Sequence, residues 1–263
     1  IQWQKWNTTL RMRDKVTLNG FRQKHRETLA IHAFKQFLFF EQWYALRQYA
    51  NQKNIQIIGD LPIFVSLDSA DAWSNPDLFF MNEDRIPTVV AGVPPDYFSP
   101  TGQLWGNPLY RWQYHKKTGY DWWLKRIRAS LKLFDILRLD HFRGFSAYWE
   151  VPAGNTTAIN GSWQPGPGSD FFQNLLNHLG QLPIIAEDLG LITPDVIELR
   201  DQFDLPGMRV LQFAFAEDSK HPFLPHNYIN NCVAYTGTHD NDTALGWFFN
   251  SSTKEEKDFL LRY

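Results

Sequence analysis

The chain has 263 residues, 43% of them hydrophobic and 21% charged, which is enough to fill one sizeable core. The 26 Lys and Arg against 28 Asp and Glu leave a net charge of −2, so nothing basic points to nucleic acid or to a membrane surface. A single cysteine, Cys232, excludes an internal disulfide and suits a reducing compartment, and no apolar run is long enough for a bilayer.

Ile1-Gln2-Trp3-Gln4-Lys5 carries neither an initiating Met nor a signal-peptide core, and both ends read as cuts in a longer polypeptide. Residues 28–50 predict a long amphipathic helix, with Ala30, Phe34, Phe37, Leu38, Trp43, Tyr44 and Leu46 near a 3.6-residue period. Ile55-Gln56-Ile57-Ile58 predicts a strand stopped by Gly59-Asp60. From 66 to 119 comes a region rich in Pro, Gly, Asp and Asn with no clear period, read as an inserted irregular region.

Residues 120–131 predict a helix with Trp122, Trp123, Ile127 and Leu131 on one side, feeding a strand over 134–139. A second irregular stretch, 152–168, precedes a short helix over 171–179 with Asp170 as its cap. Strands follow at 182–186, 208–215 and 232–235, and Thr193-Pro194-Asp195 starts a helix that runs to about Phe203. Ser252 and Glu255 are spaced as a capping box for a last helix. Five strands alternating with helices predict α/β architecture with a parallel sheet: about five of the eight strands of a (β/α)8 TIM barrel.

Three of these strands run into a carboxylate. The 134–139 strand meets Asp140, the 182–186 strand meets Glu187, and the 232–235 strand runs through Thr236-Gly237-Thr238-His239 into Asp240. In a parallel barrel the loops leaving the carboxyl ends of strands converge on one mouth, so three such acids would share a pocket. One carboxylate to attack, one carboxylic acid to protonate a leaving oxygen and one more to polarise is the set that cleaves a glycosidic bond.

Each signal also has a plainer reading. Arg138 and Asp140 point to one side of their strand and form either a rim ion pair or a cation that keeps a nucleophile ionised. Glu187 and Asp188 are either neighbours that raise the pKa of the drier acid or caps of the following turn, and for Asp188 the cap is preferred. His239-Asp240-Asn241-Asp242 is either a polar turn or part of the site, and its consecutive ligands do not suit a metal. Asp60 is a fourth polar group at the mouth or a turn residue. The aromatic content, 11 Trp, 10 Tyr and 21 Phe, serves a core first and sugar stacking second.

Ile58-Gly59-Asp60-Leu61-Pro62-Ile63-Phe64-Val65, Val93-Pro94-Pro95-Asp96-Tyr97-Phe98, Gly102-Gln103-Leu104-Trp105-Gly106-Asn107-Pro108, the 138–144 segment, Ala186-Glu187-Asp188-Leu189-Gly190 and Thr236-Gly237-Thr238-His239-Asp240-Asn241 together resemble the amylomaltase, or 4-α-glucanotransferase (disproportionating enzyme), family. The resemblance runs from about 34 to 247. It implies an interrupted (β/α)8 barrel, incomplete at both ends here, that moves α-1,4-glucan segments between chains without a metal or an organic cofactor. It implies Asp140 as nucleophile, Glu187 as acid/base and Asp240 as transition-state stabiliser, with Arg138 and His239 beside them. Asp60, Asp96, Tyr97, Gln103, Trp105 and Asn107 would lie near the substrate, and 152–168 would be a lid carrying Trp163. The expected partners are a glucan donor and a sugar acceptor (maltooligosaccharides, glucose), with no nucleic acid and no membrane. The expected location is the cytoplasm, with a plastid as alternative. A hydrolase of the same clan and a non-catalytic glucan-binding barrel are the rival functions.

Overall fold

A computed structural model describes residues 1–96, 99–216 and 218–263. The chain divides into two compact units, Ile1–Pro183 and Ile184–Tyr263, and both are α/β. Among the described residues, no helix is long and apolar enough to cross a membrane.

In the first unit, helix Lys15–Lys24 starts where Asp14 accepts a 2.8 Å hydrogen bond from the Thr17 amide. Helix Arg26–Gln52 follows, slightly longer at both ends than the 3.6-residue period predicts. Asp135 fastens it: the carboxylate accepts from Arg47 at 2.7 Å, from Asn51 at 2.9 Å and from the Ile57 amide at 2.8 Å. The predicted apolar face is not buried: Phe34, Phe37 and Leu46 stay more than half exposed, and only Phe40, Trp43, Arg47 and Ala50 are partly covered.

Strand β1 (Ile58–Pro62) begins where the sequence reading ended it, and Gly59 and Asp60 lie inside it. Glycine reads as a breaker, but here it is required: a Cβ at 59 would overlap the Phe134 ring. Strands β2 (Val89–Val93), β3 (Gln103–Pro108), β5 (Ala147–Pro152) and β6 (Ser162–Pro165) form an antiparallel sheet in the order β3-β2-β5-β6. The two stretches read as irregular, 66–119 and 152–168, therefore hold strands of one sheet. Their alternation is hidden by Gly92, Gly106, Pro108 and Pro165 and by a register shift between Val90 and Gly92.

Strand β4 (Ile136–Asp140) pairs in parallel with β1, setting Asp60 opposite Arg138 and Pro62 opposite Asp140. Beneath lies an aromatic core in which Tyr110, Trp123, Phe145 and Phe171 are fully buried. Trp123 stands edge-on to Phe145 at 5.6 Å and to Phe171 at 5.4 Å. Such pairs add about 0.5–1.5 kcal/mol each beyond their burial. Part of the aromatic surplus is therefore core, while rings such as Phe34, Phe37, Tyr49 and Phe249 stand exposed. Asp170 is not a cap: it sits in the first turn of helix Gly168–Leu179 and binds the Tyr120 hydroxyl at 2.7 Å.

In the second unit, β7 (Ile184–Ala186) is fully buried and helix Pro194–Gln202 follows Thr193. Strand β8 (Gly207–Val210) pairs in parallel with β9 (Cys232–Tyr235). The predicted 208–215 strand is shorter than expected, because residues Leu211–Phe213 turn into a 3-10 helix. The last helix, Lys254–Arg262, carries the capping box one residue later than predicted, on Thr253 and Glu256.

Candidate active site

In the first unit, parallel pairing of β1 and β4 brings three charged side chains to one strand end. The Arg138 guanidinium is nearly buried and lies 2.6 Å from Asp60 Oδ1 and 3.0 Å from Asp140 Oδ1. Both carboxylates stay partly open to solvent, at 44% and 37%. A nearly buried cation bridging two accessible carboxylates fixes them at one strand end and leaves them able to meet a ligand.

His141 follows Asp140 in the left-handed region at φ 53°, which turns the chain sharply off the strand. Its ring meets Trp105 edge-on at 4.8 Å and lies 6.3 Å from Phe64. Burial, with a smaller push from Arg143, draws the imidazole pKa down to about 4, so the ring is neutral at pH 7. Trp105 Nε1 in turn donates to Gln103 Oε1 at 3.1 Å. Arg143 is buried, and its guanidinium covers the face of Trp163 at 3.9 Å. Trp163 stands opposite Trp149 in the β5–β6 register, with the rings 5.3 Å apart, and keeps 38% of its surface exposed. An indole held from one side and open on another is a surface a sugar ring can stack on.

Other predicted residues do local work. Asn107 Nδ2 donates to the Val65 carbonyl at 2.9 Å, and Asp96 accepts from the Ser99 amide at 2.8 Å in a turn. Tyr97 lies outside the described residues.

In the second unit the turn contact expected of Asp188 is made by Glu187. Glu187 Oε1 accepts from the Leu189 amide at 3.1 Å, closing the turn that Asp188 was expected to cap. Asp188 is buried instead and binds Arg200 at 2.5 Å, Arg209 at 3.4 Å and the Met208 amide at 2.6 Å. Two guanidinium groups thus offset the repulsion that Asp188 would exert on Glu187. Asp240 and His239 project from the 236–242 loop, 3.4 Å apart and each about 70% exposed. Sequence reasoning missed Phe64, His141 and Arg143 around the first acid and Gln212 under this loop. His141 and Arg143 lay within the quoted 138–144 segment and Phe64 within the 58–65 segment, with no role read for them, and Gln212 lay outside every quoted motif.

A family model described as 4-alpha-glucanotransferase matches residues 1–263. The chain belongs to the 4-alpha-glucanotransferase family. Relatives bearing that name include one from Thermus thermophilus, 52% identical, and one from Clostridium butyricum, 50% identical; both alignments cover 100% of this chain. A chloroplastic/amyloplastic 4-alpha-glucanotransferase of Solanum tuberosum is 48% identical over the whole chain. Among solved family structures, the amylomaltase of Streptococcus agalactiae in complex with acarbose superposes with a TM-score of 0.96 at 46% identity, covering 100% of this chain and 53% of that one. The chain spans about half the length of the curated relatives it matches, 54% and 53% of the first two.

Proposed function

We propose that the full-length protein is a retaining 4-α-glucanotransferase that moves α-1,4-glucan segments from a donor chain to a sugar acceptor, maltooligosaccharides or glucose. The observation that carries the reading is the placement of Asp140: a partly open carboxylate at a strand end, 3.0 Å from a nearly buried arginine. Family membership and the acarbose bound by the S. agalactiae amylomaltase support it. On this reading β1, β4, β7, β8 and β9 are five strands of a (β/α)8 barrel, with the other strands contributing a sheet beside its mouth.

Asp140 attacks the anomeric carbon while the Glu187 carboxyl passes its proton to the departing glycosidic oxygen. The bond to Asp140 forms as the bond to the leaving chain breaks, and the donor's non-reducing segment stays on the enzyme as an ester. The Glu187 carboxylate then takes the proton of an acceptor hydroxyl, whose oxygen displaces Asp140. Asp240 faces the positive charge that develops on the sugar ring in both steps. Asp60 and Arg138 hold Asp140 in place between steps. Trp105 and Trp163 offer aromatic faces to the glucan, and the 152–168 hairpin, with the sheet of the 66–119 region, serves as a cover that favours sugar over water. The location on this reading is the cytoplasm, with a plastid as the alternative, which the chloroplastic/amyloplastic name of the Solanum tuberosum relative supports.

Incubation of the full-length protein with maltotriose tests the reading. Longer oligomers appearing together with glucose indicate transfer, whereas maltose and glucose alone would establish hydrolysis, and unchanged maltotriose would remove the catalytic assignment.

A further inference from the structure

Asp240 and His239 sit on a loop whose functional side chains face solvent, so their position depends on how the backbone beneath them is held. Inside the loop, Asn241 Oδ1 accepts from the Thr238 amide at 2.9 Å and from the Thr238 hydroxyl at 3.0 Å. These bonds shape the tip. Among the described residues, Gln212 ties the loop to the sheet; it stands in the 3-10 turn directly after β8 and is 6% exposed.

Gln212 meets the loop at both ends. Its backbone amide donates to the Thr236 carbonyl at 3.2 Å, extending the parallel β8–β9 ladder by one residue. Its side-chain Nε2 donates to the Asp242 carbonyl at 2.9 Å, beyond the tip. Between them the carboxamide lies flat against Gly237: a Cβ there would stand 2.8 Å from Nε2 and 3.1 Å from the amide carbon. The glycine is thus the space into which the glutamine fits. A buried amide spanning a seven-residue loop at its first and last residues fixes the separation of those ends, and with it the direction in which residue 240 leaves the backbone.

We propose that Gln212 is a positioning residue for glucan transfer, holding the 236–242 loop so that Asp240 stays aligned with the charge developing on the sugar. The inference rests on the reading of Asp240 as transition-state stabiliser. Gln212 itself touches no substrate on this view. It acts through the backbone, and its loss removes alignment while leaving the ground-state grip on the glucan from other residues intact.

The test uses the full-length enzyme with Gln212→Met, which keeps length and apolar bulk but removes the donor, and Gly237→Ala, which pushes on the carboxamide from the loop side. Each is measured for kcat and KM in maltotriose disproportionation and for cooperative thermal unfolding, alone and combined with Asp240→Asn. In whichever variant folds, kcat should fall about 10- to 100-fold with KM within about threefold, as expected for misplacement of a catalytic group by a fraction of an ångström. In the Asp240→Asn background the same substitution should cost little more, because the group it aligns is already gone. A kcat near wild type in a folded variant overturns the proposal, as does an equal loss with and without Asp240. If Asp240→Asn alone leaves kcat unchanged, it is the role given to Asp240 that fails, and the two failures are told apart.

Discussion

Arg138 reaches across a strand pair to Asp60, Nη1 to Oδ1 at 2.6 Å, closer than it stands to Asp140 on its own strand. The cross-strand register, Asp60 against Arg138, sets this geometry before any ligand arrives. One cation therefore serves two acids, and neither acid can be considered without the other.

Arg138→Met should remove the guanidinium that bridges Asp60 and Asp140, with maximal kcat down about 100-fold or more. Arg138→Lys should restore only part of this, since an ammonium is a point charge that lacks the guanidinium fork. Steady-state kinetics checks both; a kcat near wild type in Arg138→Met would detach Arg138 from the positioning of the nucleophile.

Asp140→Asn should abolish turnover while leaving glucan affinity largely intact, because the amide cannot attack yet occupies the same space. Calorimetric titration with a maltooligosaccharide beside a turnover assay measures the two separately. Joint loss of both would make Asp140 a structural residue.

Asp188 is a stability residue more than a chemical one. Asp188→Ala strips two buried guanidinium groups and the Met208 amide of their shared acceptor, and breaking such a buried pair costs about 3–5 kcal/mol. Urea unfolding should register most of that loss. A change below about 1 kcal/mol would show that water or a neighbour takes over the acceptor role.

His115 lies wholly inside the aromatic cluster, and burial draws its pKa down to about 4. An unfolded histidine titrates near 6.5, so between these values the unfolded chain binds the extra proton. Stability from this group is thus complete above about pH 6.5 and is lost as pH falls toward about 4, at up to about 1.4 kcal/mol per pH unit. His141 adds a second group with the same sign. Denaturant midpoints compared between about pH 7 and about pH 4.5 should fall steeply in the wild type and less steeply in His115→Phe. Parallel slopes would remove His115 from the acid response.

Trp163 is gripped on one face by Arg143 and flanked by Trp149, which makes the hairpin a firm stacking surface. On the transferase reading, the glycosyl-enzyme must outlast contact with water until a sugar arrives, and a positioned acceptor is what favours the sugar. Trp163→Ala should raise the ratio of hydrolysis to transfer more than it lowers total cleavage. Product analysis showing both activities falling together would mean that the hairpin does not choose between them.

Much of this arrangement was legible in the sequence wherever it depended on neighbours along the chain. Apolar runs ending in Asp140 and Glu187 reported the buried strands β4 and β7 and their exits. The shared side of Arg138 and Asp140 followed from the period of two. Where partners come from afar, the reading failed: Asp188 looked like a turn residue because Arg200 and Arg209, 12 and 21 residues away, announce no bond to it. The antiparallel sheet was hidden for a different reason, since its strands carry glycines and prolines where alternation would have shown. Gln212 was invisible because a buried amide has no pattern of its own; only the bareness of Gly237 hinted that something pressed there.

Gly59 leaves its mark on the history open to this site. The Phe134 ring fills the volume that any side chain at 59 would claim, one residue before the acid that meets Arg138. Bulk can therefore be gained at 59 only after it has been surrendered at 134, and the reverse order passes through a chain whose first strand cannot seat. Drift around Asp60 is directional: the order of two replacements, and not only their identity, decides which descendants of this sequence can exist.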